Sequence, residues 1–283
     1  MSTKPFFSIV IPALNEEKYL PLLLSDLATQ SWHDFEVLVI DGNSDDGTVK
    51  TALTFTKKMS LTVETAAQRN VSFQRNLGAK KALGEWIIFM DADNRIPSYF
   101  LLGIKYQLEK KPSIRVFTCA IDSRAYTIKD KPLIDFSNMF MEMYTKINPV
   151  ATGALIGTHE SVLQNTHFDE KITLAEDHDF VIRAQKAGFP LEFFGEPAFT
   201  YSLRRFQRDG TLTTLRSYSK AHLYLLLGKK TTQPLKEYPM EGGGYYELEK
   251  SPFFSRLKSE VAALSAKQYE QIKRYLLETN KHE

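Results

Sequence analysis

Cysteine is almost absent. Cys119 stands alone among 283 residues, so the chain cannot close an internal disulfide, and a reducing cytoplasm is the expected setting. No apolar run approaches the roughly 20 residues that a bilayer-spanning helix needs. The Met1–Phe7 stretch lacks the apolar centre of a secretory leader, which disfavours secretion. Contact with a membrane surface stays open. An excess of charge of either sign is also missing: 36 Lys and Arg face 34 Asp and Glu, a formal net charge of +2. That near balance gives nucleic acid no electrostatic footprint as the main partner. A Gly-x-Gly-x-x-Gly run after the first apolar segment is absent, its place taken by Pro12-Ala-Leu-Asn-Glu16, and there is no P-loop. Dinucleotide-dependent and P-loop chemistry are disfavoured accordingly.

What is present is an ordinary globular composition, 43% hydrophobic and 25% charged, with length for one large α/β domain or two small ones. Apolar, β-rich runs at Phe7–Pro12, Phe35–Ile40 and Trp86–Met90 predict strands, with a shorter one at Leu61–Thr65. Helices are expected over Glu16–Thr29, Asp45–Met59 and Ser72–Leu83. Near-continuous apolar strands between helices predict a mostly parallel sheet covered on both faces. Further on, Arg115–Ile121 and Leu191–Phe194 read as strands, and Asp177–Ala187 as a helix stopped by Gly188. Leu212–Leu227 reads as a helix with an aromatic and leucine face. Thr231–Ser251, with two prolines and Gly242-Gly243-Gly244, reads as a loop. Ser255–Thr279 reads as a charged amphipathic helical tail.

Two of the strands run straight into aspartate: Ile40 into Asp41, and Met90 into Asp91-Ala-Asp93. In open α/β sheets, ligands bind beyond the carboxyl ends of the strands. In an extended stretch, Asp91 and Asp93 would point to one face. Two such carboxylates repel, and a hard cation, Mg²⁺ or Mn²⁺, relieves the repulsion while keeping sites for substrate phosphates. The alternative is a polar turn capping a helix near Pro97. Asp41-Gly-Asn-Ser-Asp-Asp-Gly-Thr48 has the same two readings, a turn with a helix N-cap or a contact from Asp41 to a nucleobase or ribose.

Four segments in order resemble glycosyltransferase family 2: Ser8-Ile-Val-Ile-Pro-Ala-Leu-Asn-Glu-Glu17; Asp41 to Thr48; Arg75-Asn-Leu-Gly-Ala79 with Ala82-Leu-Gly-Glu-Trp86; and Asp91-Ala-Asp93. The close match covers about the first hundred residues. The resemblance implies the GT-A fold, an α/β, Rossmann-like mixed and mostly parallel sheet flanked by helices, with a C-terminal helical extension. It implies a catalytic domain over 1–228, with a nucleotide-sugar half at 1–110 and an acceptor half at 111–228, followed by a loop and tail at 229–283. Pro12, Ala13, Asn15 and Glu16 would line the nucleotide pocket, and Asp41 would contact the base. Arg75 would sit near the base or diphosphate, against the plain reading of a solvated helix cation. Asp91 would face the ribose and metal, and Asp93 would bind the metal. Gly78, Ala79, Ala82 and Gly84 suit close packing of helix on sheet.

In the second half, Ala175-Glu-Asp-His-Asp-Phe180 resembles the family's Glu-Asp segment, which implies Asp177 as the base of an inverting transfer. Glu176 and Asp179 either orient it or cap the helix. His178 reads as exposed or structural, and His222 as a plain helical residue. Arg204 and Arg205 either hold diphosphate oxygens or form a solvated basic face. The implied donor is a nucleoside-diphosphate sugar, with uridine favoured over guanosine and thymidine. The implied acceptor is a glycan or a lipid-linked one. The Gly-rich loop, Leu223–Leu227 and the basic tail offer a peripheral contact at the inner face of the membrane. No Gln-x-x-Arg-Trp pattern occurs, which argues against an exporting polysaccharide synthase. The competing expectation is an inactive scaffold that binds carbohydrate or nucleotide.

Overall fold

A computed structural model describes residues 4–127, 131–145, 149 and 154–204. Arg205, His222, the Leu212–Leu227 helix, the 231–251 loop, the 255–279 tail and the boundary at 228 lie outside the described residues. The described residues hold seven strands: β1 (Phe7–Ala13), β2 (Phe35–Asp41), β3 (Leu61–Thr65), β4 (Trp86–Met90), β5 (Val116–Ile121), β6 (Leu155–His159) and β7 (Leu191–Phe199). They form one sheet in the order β3-β2-β1-β4-β6-β5-β7. β1 pairs parallel with β2 and β4, and β2 with β3; β5 pairs parallel with β7. β6 runs antiparallel to both β4 and β5, so it alone opposes the common direction. The expected mixed, mostly parallel sheet is what the structure has.

Every residue of β1 and β4 is buried, because helices cover both faces and leave no side to alternate polar residues. On one face Phe7, Ile9 and Ile11 pack with Leu20, Leu23, Leu24 and Leu27 of α1 (Leu20–Ala28) and with Phe100, Leu101, Ile104 and Leu108 of α4 (Phe100–Lys110). The leucine spacing of α1 places one continuous stripe on the sheet. On the other face Val10, Leu38, Ile40 and Phe89 pack with Phe180, Val181 and Ala184 of the helix over Glu176–Lys186. That helix ends as expected. Gly188 has φ +92°, and the Phe189 amide donates to the Ala184 carbonyl at 2.9 Å, a glycine-terminated cap that satisfies a last-turn carbonyl.

Some expectations need correction. The helix placed over Asp45–Met59 is only α2 (Thr48–Leu53). Asp46 accepts from the Thr48 amide at 2.9 Å and so belongs to the turn before the helix. Past Leu53 the bonds tighten to three-residue turns, as from the Phe55 amide to the Ala52 carbonyl, and the Thr54 and Thr56 hydroxyls donate to backbone carbonyls. Such local bonding competes with the helix ladder. β7 runs to Phe199 instead of Phe194. Not foreseen were β6, α5 (Lys131–Tyr144) and α6 (Glu160–Leu163); the helix from Glu176 is thus α7.

The packing role of the small residues is borne out around α3 (Val71–Lys81). A Cβ on Gly78 would stand 2.3 Å from Val10 Cγ1, and one on Gly84 would stand 2.6 Å from the Ser8 nitrogen. Ala79 and Ala82 pack against the same core. Gly78→Ala is expected to cost about 1–3 kcal/mol by overpacking, read as a lower urea midpoint with an unchanged slope.

Candidate active site

Beyond the carboxyl ends of β1, β2 and β4, three loops meet. Ala13 and Asp41 are register partners at the ends of β1 and β2. Gln74 of α3 fastens this edge, donating through Nε2 to the carbonyls of Ala13 (2.9 Å) and Ile40 (2.6 Å). The Ala13 carbonyl also accepts from the Gly42 amide at 2.7 Å. Pro12 and Ala13 are buried, so they shape the edge from within the sheet.

Asn15, with φ +54°, turns the chain. Its amide donates to Ser44 Oγ at 2.8 Å and its Oδ1 accepts from the Asp45 amide at 2.8 Å. Asp41 is buried, and accepts from the Ser44 hydroxyl at 2.5 Å and the Ser44 amide at 3.0 Å. Asp41 therefore organises the turn; a carboxylate has further lone pairs beyond the two used here.

Glu16 is buried, its amide bonded to Thr48 Oγ1 at 2.7 Å. Both of its carboxylate oxygens accept from the Arg204 guanidinium, one at 2.9 Å from Nη1 and the other from Nη2. Arg204 also lies 3.3 Å from Asp93 Oδ2 and over the Tyr19 ring, 4.9 Å from its centroid. The solvated-face reading of Arg204 is thus replaced by a fork holding two carboxylates. Burial pushes the Glu16 carboxyl above its usual range, with Arg204 opposing and Asp91 and Asp46 adding to the rise.

The Asp91–Asn94 stretch is a turn, not the extended segment expected. The Asn94 amide donates to the Asp91 carbonyl at 3.1 Å, and Asn94 Nδ2 donates to the Ala154 carbonyl at 2.6 Å. Nor does it cap a helix, since α4 starts only at Phe100. The two acids have different cations: Arg75 for Asp91, Arg204 for Asp93. Among the described residues no group of three or more His, Cys, Asp or Glu could hold a metal ion. Asp91, with a side chain 39% exposed, and Asp93 offer hard oxygen donors. The donor chemistry fits Mg²⁺ or Mn²⁺, but two carboxylates are too few for an all-protein cage. A cation here must complete its shell with phosphate and water.

Arg75 is not a solvated cation. It is 2% exposed, with Nη1 on Glu176 Oε1 at 2.8 Å and Nη2 on Asp91 Oδ1 at 3.1 Å. Burial opposes its charge, but Glu176, Asp91 and Asp177 together hold the guanidinium above its ordinary proton affinity. The segment from Ala175 enters α7 through a left-handed residue, φ +63°, and the acids of the first turn all point into buried space. Asp179 is spent on Arg183, 2.7 Å away on the same helix. Asp177 is left with His178 Nε2 at 3.9 Å, so His178 is neither exposed nor remote. Burial, above all, raises the Asp177 carboxyl; Glu176 adds to this, while His178 and Arg75 oppose it.

Sequence reasoning passed over Gln74 and the pairing of His178 with Asp177. The signal for Gln74 was available. The buried residues of α3 are Ser72, Gln74, Arg75 and Gly78, where an ordinary amphipathic helix would bury apolar side chains.

Arg204→Ala is expected to lower stability by about 1–3 kcal/mol, the cost of leaving a buried polar group unpartnered. The sign with pH follows from Glu16. Its folded proton affinity is already raised and rises further without Arg204, so a protonated Glu16 relieves the loss. Thermal melts should show a larger deficit at mildly alkaline than at mildly acidic pH.

A family model described as Glycosyl transferase family 2 matches residues 8–177, more than half of the chain. A "PGL/p-HBAD biosynthesis glycosyltransferase" of Mycobacterium tuberculosis is 35% identical over 94 residues, which cover 32% of this chain and 37% of the relative. The chain thus spans little more than a third of that relative. The TarS 1–349 structure from S. aureus, in complex with UDP-GlcNAc, superposes with a TM-score of 0.54 at 24% identity, over 69% of this chain and 58% of that one. The mannosyltransferase PcManGT from Pyrobaculum calidifontis, in complex with GDP-Man and Mn²⁺, gives 0.63 at 18% identity, over 98% and 86%. These two likenesses concern the fold, which is of the GT-A type. The match over residues 8–177 takes in all four motif segments and Glu176 and Asp177 at the head of α7, and the chain belongs to glycosyl transferase family 2.

Proposed function

We propose that the chain is a metal-assisted, inverting glycosyltransferase that moves a sugar from a nucleoside diphosphate, uridine first, to a hydroxyl of a glycan or lipid-linked acceptor. The observation that carries this reading is that Arg75 joins Asp91 of the acidic turn to Glu176, the neighbour of a buried Asp177 whose carboxyl is raised above its usual range. Similar folds in complex with UDP-GlcNAc or with GDP-Man and Mn²⁺ support the donor class.

In this reading Asp177 takes the proton of the acceptor hydroxyl as that oxygen attacks the anomeric carbon. The bond from that carbon to the diphosphate oxygen breaks, and its electron pair leaves with the nucleoside diphosphate. A raised carboxyl suits the base, because proton transfer is most effective when the base's affinity approaches the working pH. Asp91 and Asp93 would hold the cation, which offsets the charge growing on the leaving diphosphate. The Asn15–Glu16 loop and the Asp41 turn bound the nucleotide. On donor binding Arg204 is placed to trade Asp93 for a diphosphate oxygen, an exchange its fork geometry suits. Were Arg204 to stay on Asp93, the cation would be kept out, and the chain would act as the scaffold expected above.

The cation and the nucleotide are expected to bind together. UDP with Mn²⁺ should raise the melting temperature by mass action, Mn²⁺ alone should raise it little, and EDTA should abolish both the UDP shift and sugar transfer. Stabilisation by no nucleoside diphosphate would support the scaffold.

Asp177→Asn should lower transfer by about 10²–10⁴-fold and leave the shift with UDP and Mn²⁺ intact. Because Asp177 holds its proton more tightly folded than unfolded, stability falls as pH rises through that window. The variant should therefore melt at or above the wild type near neutral pH. The acid limb of the wild-type rate profile should lie above the ordinary carboxylate range. An active Asp177→Asn sends the base role to Glu176 or Asp179.

A further inference from the structure

Arg75, Asn76 and Asn70 together bind α3 to a distant part of the chain. Asn76 holds Phe168 from both sides, its Nδ2 donating to the Phe168 carbonyl and its Oδ1 accepting the Phe168 amide, each at 2.9 Å. Asn70 Nδ2 donates to the Glu170 carbonyl at 2.9 Å. The Phe168 ring so fixed stacks on Phe180 of α7, with centroids 4.5 Å apart and planes 12° apart. It also meets Phe89 of β4 edge-on at 5.0 Å. The Arg75 guanidinium lies over the same ring, 5.2 Å from its centroid. From there its two amino groups reach the acid just past β4 and the first residue of α7.

We propose that Arg75 is a positioning residue for transfer, fixing the separation between the donor-side Asp91 and the acceptor-side Asp177 through Glu176, without touching the nucleotide. This rests on the transferase reading above. Three features carry the assignment. The guanidinium is buried and its forked donors end on carboxylates of two separate elements. The aromatic ring beneath it is packed against those same two elements, so a displaced guanidinium would disturb both. Glu176 immediately precedes Asp177, so movement at Glu176 is passed to the base within one residue. Lysine keeps the charge but carries one nitrogen in place of the planar fork and cannot hold both acids in that geometry.

The test is a double-mutant cycle of Arg75→Lys and Glu176→Gln, read as kcat, donor KM, affinity for UDP with Mn²⁺ by calorimetry, and melting temperature. Each single variant should lose about 10²-fold in kcat, the scale of a small misplacement of reacting groups, with donor KM and UDP affinity unchanged. The double variant should be no slower than the slower single, because the two residues act as one unit. A purely structural lesion would lower the melting temperature and the active fraction without this split. Multiplying losses overturn the assignment, and so does weakened UDP binding at normal kcat, which would make Arg75 a nucleotide ligand. If Arg75→Lys does not fold, Glu176→Gln decides: a kcat-only loss supports the assignment, and wild-type kcat overturns it. A wild type that transfers no sugar from any nucleoside diphosphate overturns the functional reading and this assignment together, whereas an active wild type with additive variants overturns only the assignment.

Discussion

A guanidinium taken out of water costs several kcal/mol unless carboxylates meet it with good geometry. Arg75 meets that condition with one acid from the end of β4 and one from the start of α7. The cost couples the end of β4 to the start of α7. Asp91 without Arg75 is an exposed loop acid, and Glu176 without it is a buried charge at a helix start. Arg75 without either is an unpaired cation against an aromatic ring. The parallel sheet supplies the rigid frame for this pairing, and the polar stripe of α3, from Ser72 to Gly78, carries it to the sheet's edge.

A second cation repeats the arrangement nearer the opening. Arg204 holds Glu16 and Asp93, so each acid of the Asp91–Asp93 turn faces a different guanidinium. The two differ in depth. Arg75 is enclosed, with its partners set by packing, while the Arg204 side chain is 19% exposed. One cation is suited to hold geometry, the other to exchange partners. Burial, more than any single neighbour, raises the Asp177 carboxyl above its usual range.

The elements read well from sequence were those whose environment is uniform. β1, β2 and β4 are buried on both faces and are almost wholly apolar, and α1 places four leucines on one stripe. Legibility failed where long-range contacts decide. β6 is only five residues long and holds Gly157, a residue depleted in strands. It forms because Gly157 leaves room for the Phe117 ring, which stands 2.0 Å from where a Cβ would be. Arg75 looks like any surface helix cation in sequence because its partners stand 16 and 101 residues away. Arg204 finds Glu16 at a separation of 188. The acids themselves were visible because they follow strands directly. Which cation each acid would take was not visible, since charge pairing across the crevice leaves no local pattern.

The reversed direction of β6 decides which part of the chain walls the crevice. In a doubly wound sheet every strand delivers its outgoing loop to the ligand edge. Here Leu155, the first residue of β6, pairs with Met90, the last of β4, so it is the incoming chain that reaches that edge. The Ala154 carbonyl there accepts both the Asp91 amide and the Asn94 side chain, and thereby sets the shape of the acidic turn. Residues leading into a strand are tethered to whatever precedes them. The path of the chain into β6 and the geometry of the acids are therefore linked through the Ala154 carbonyl. A change in chain length just before Leu155 would thus shift the acidic turn without altering any acid.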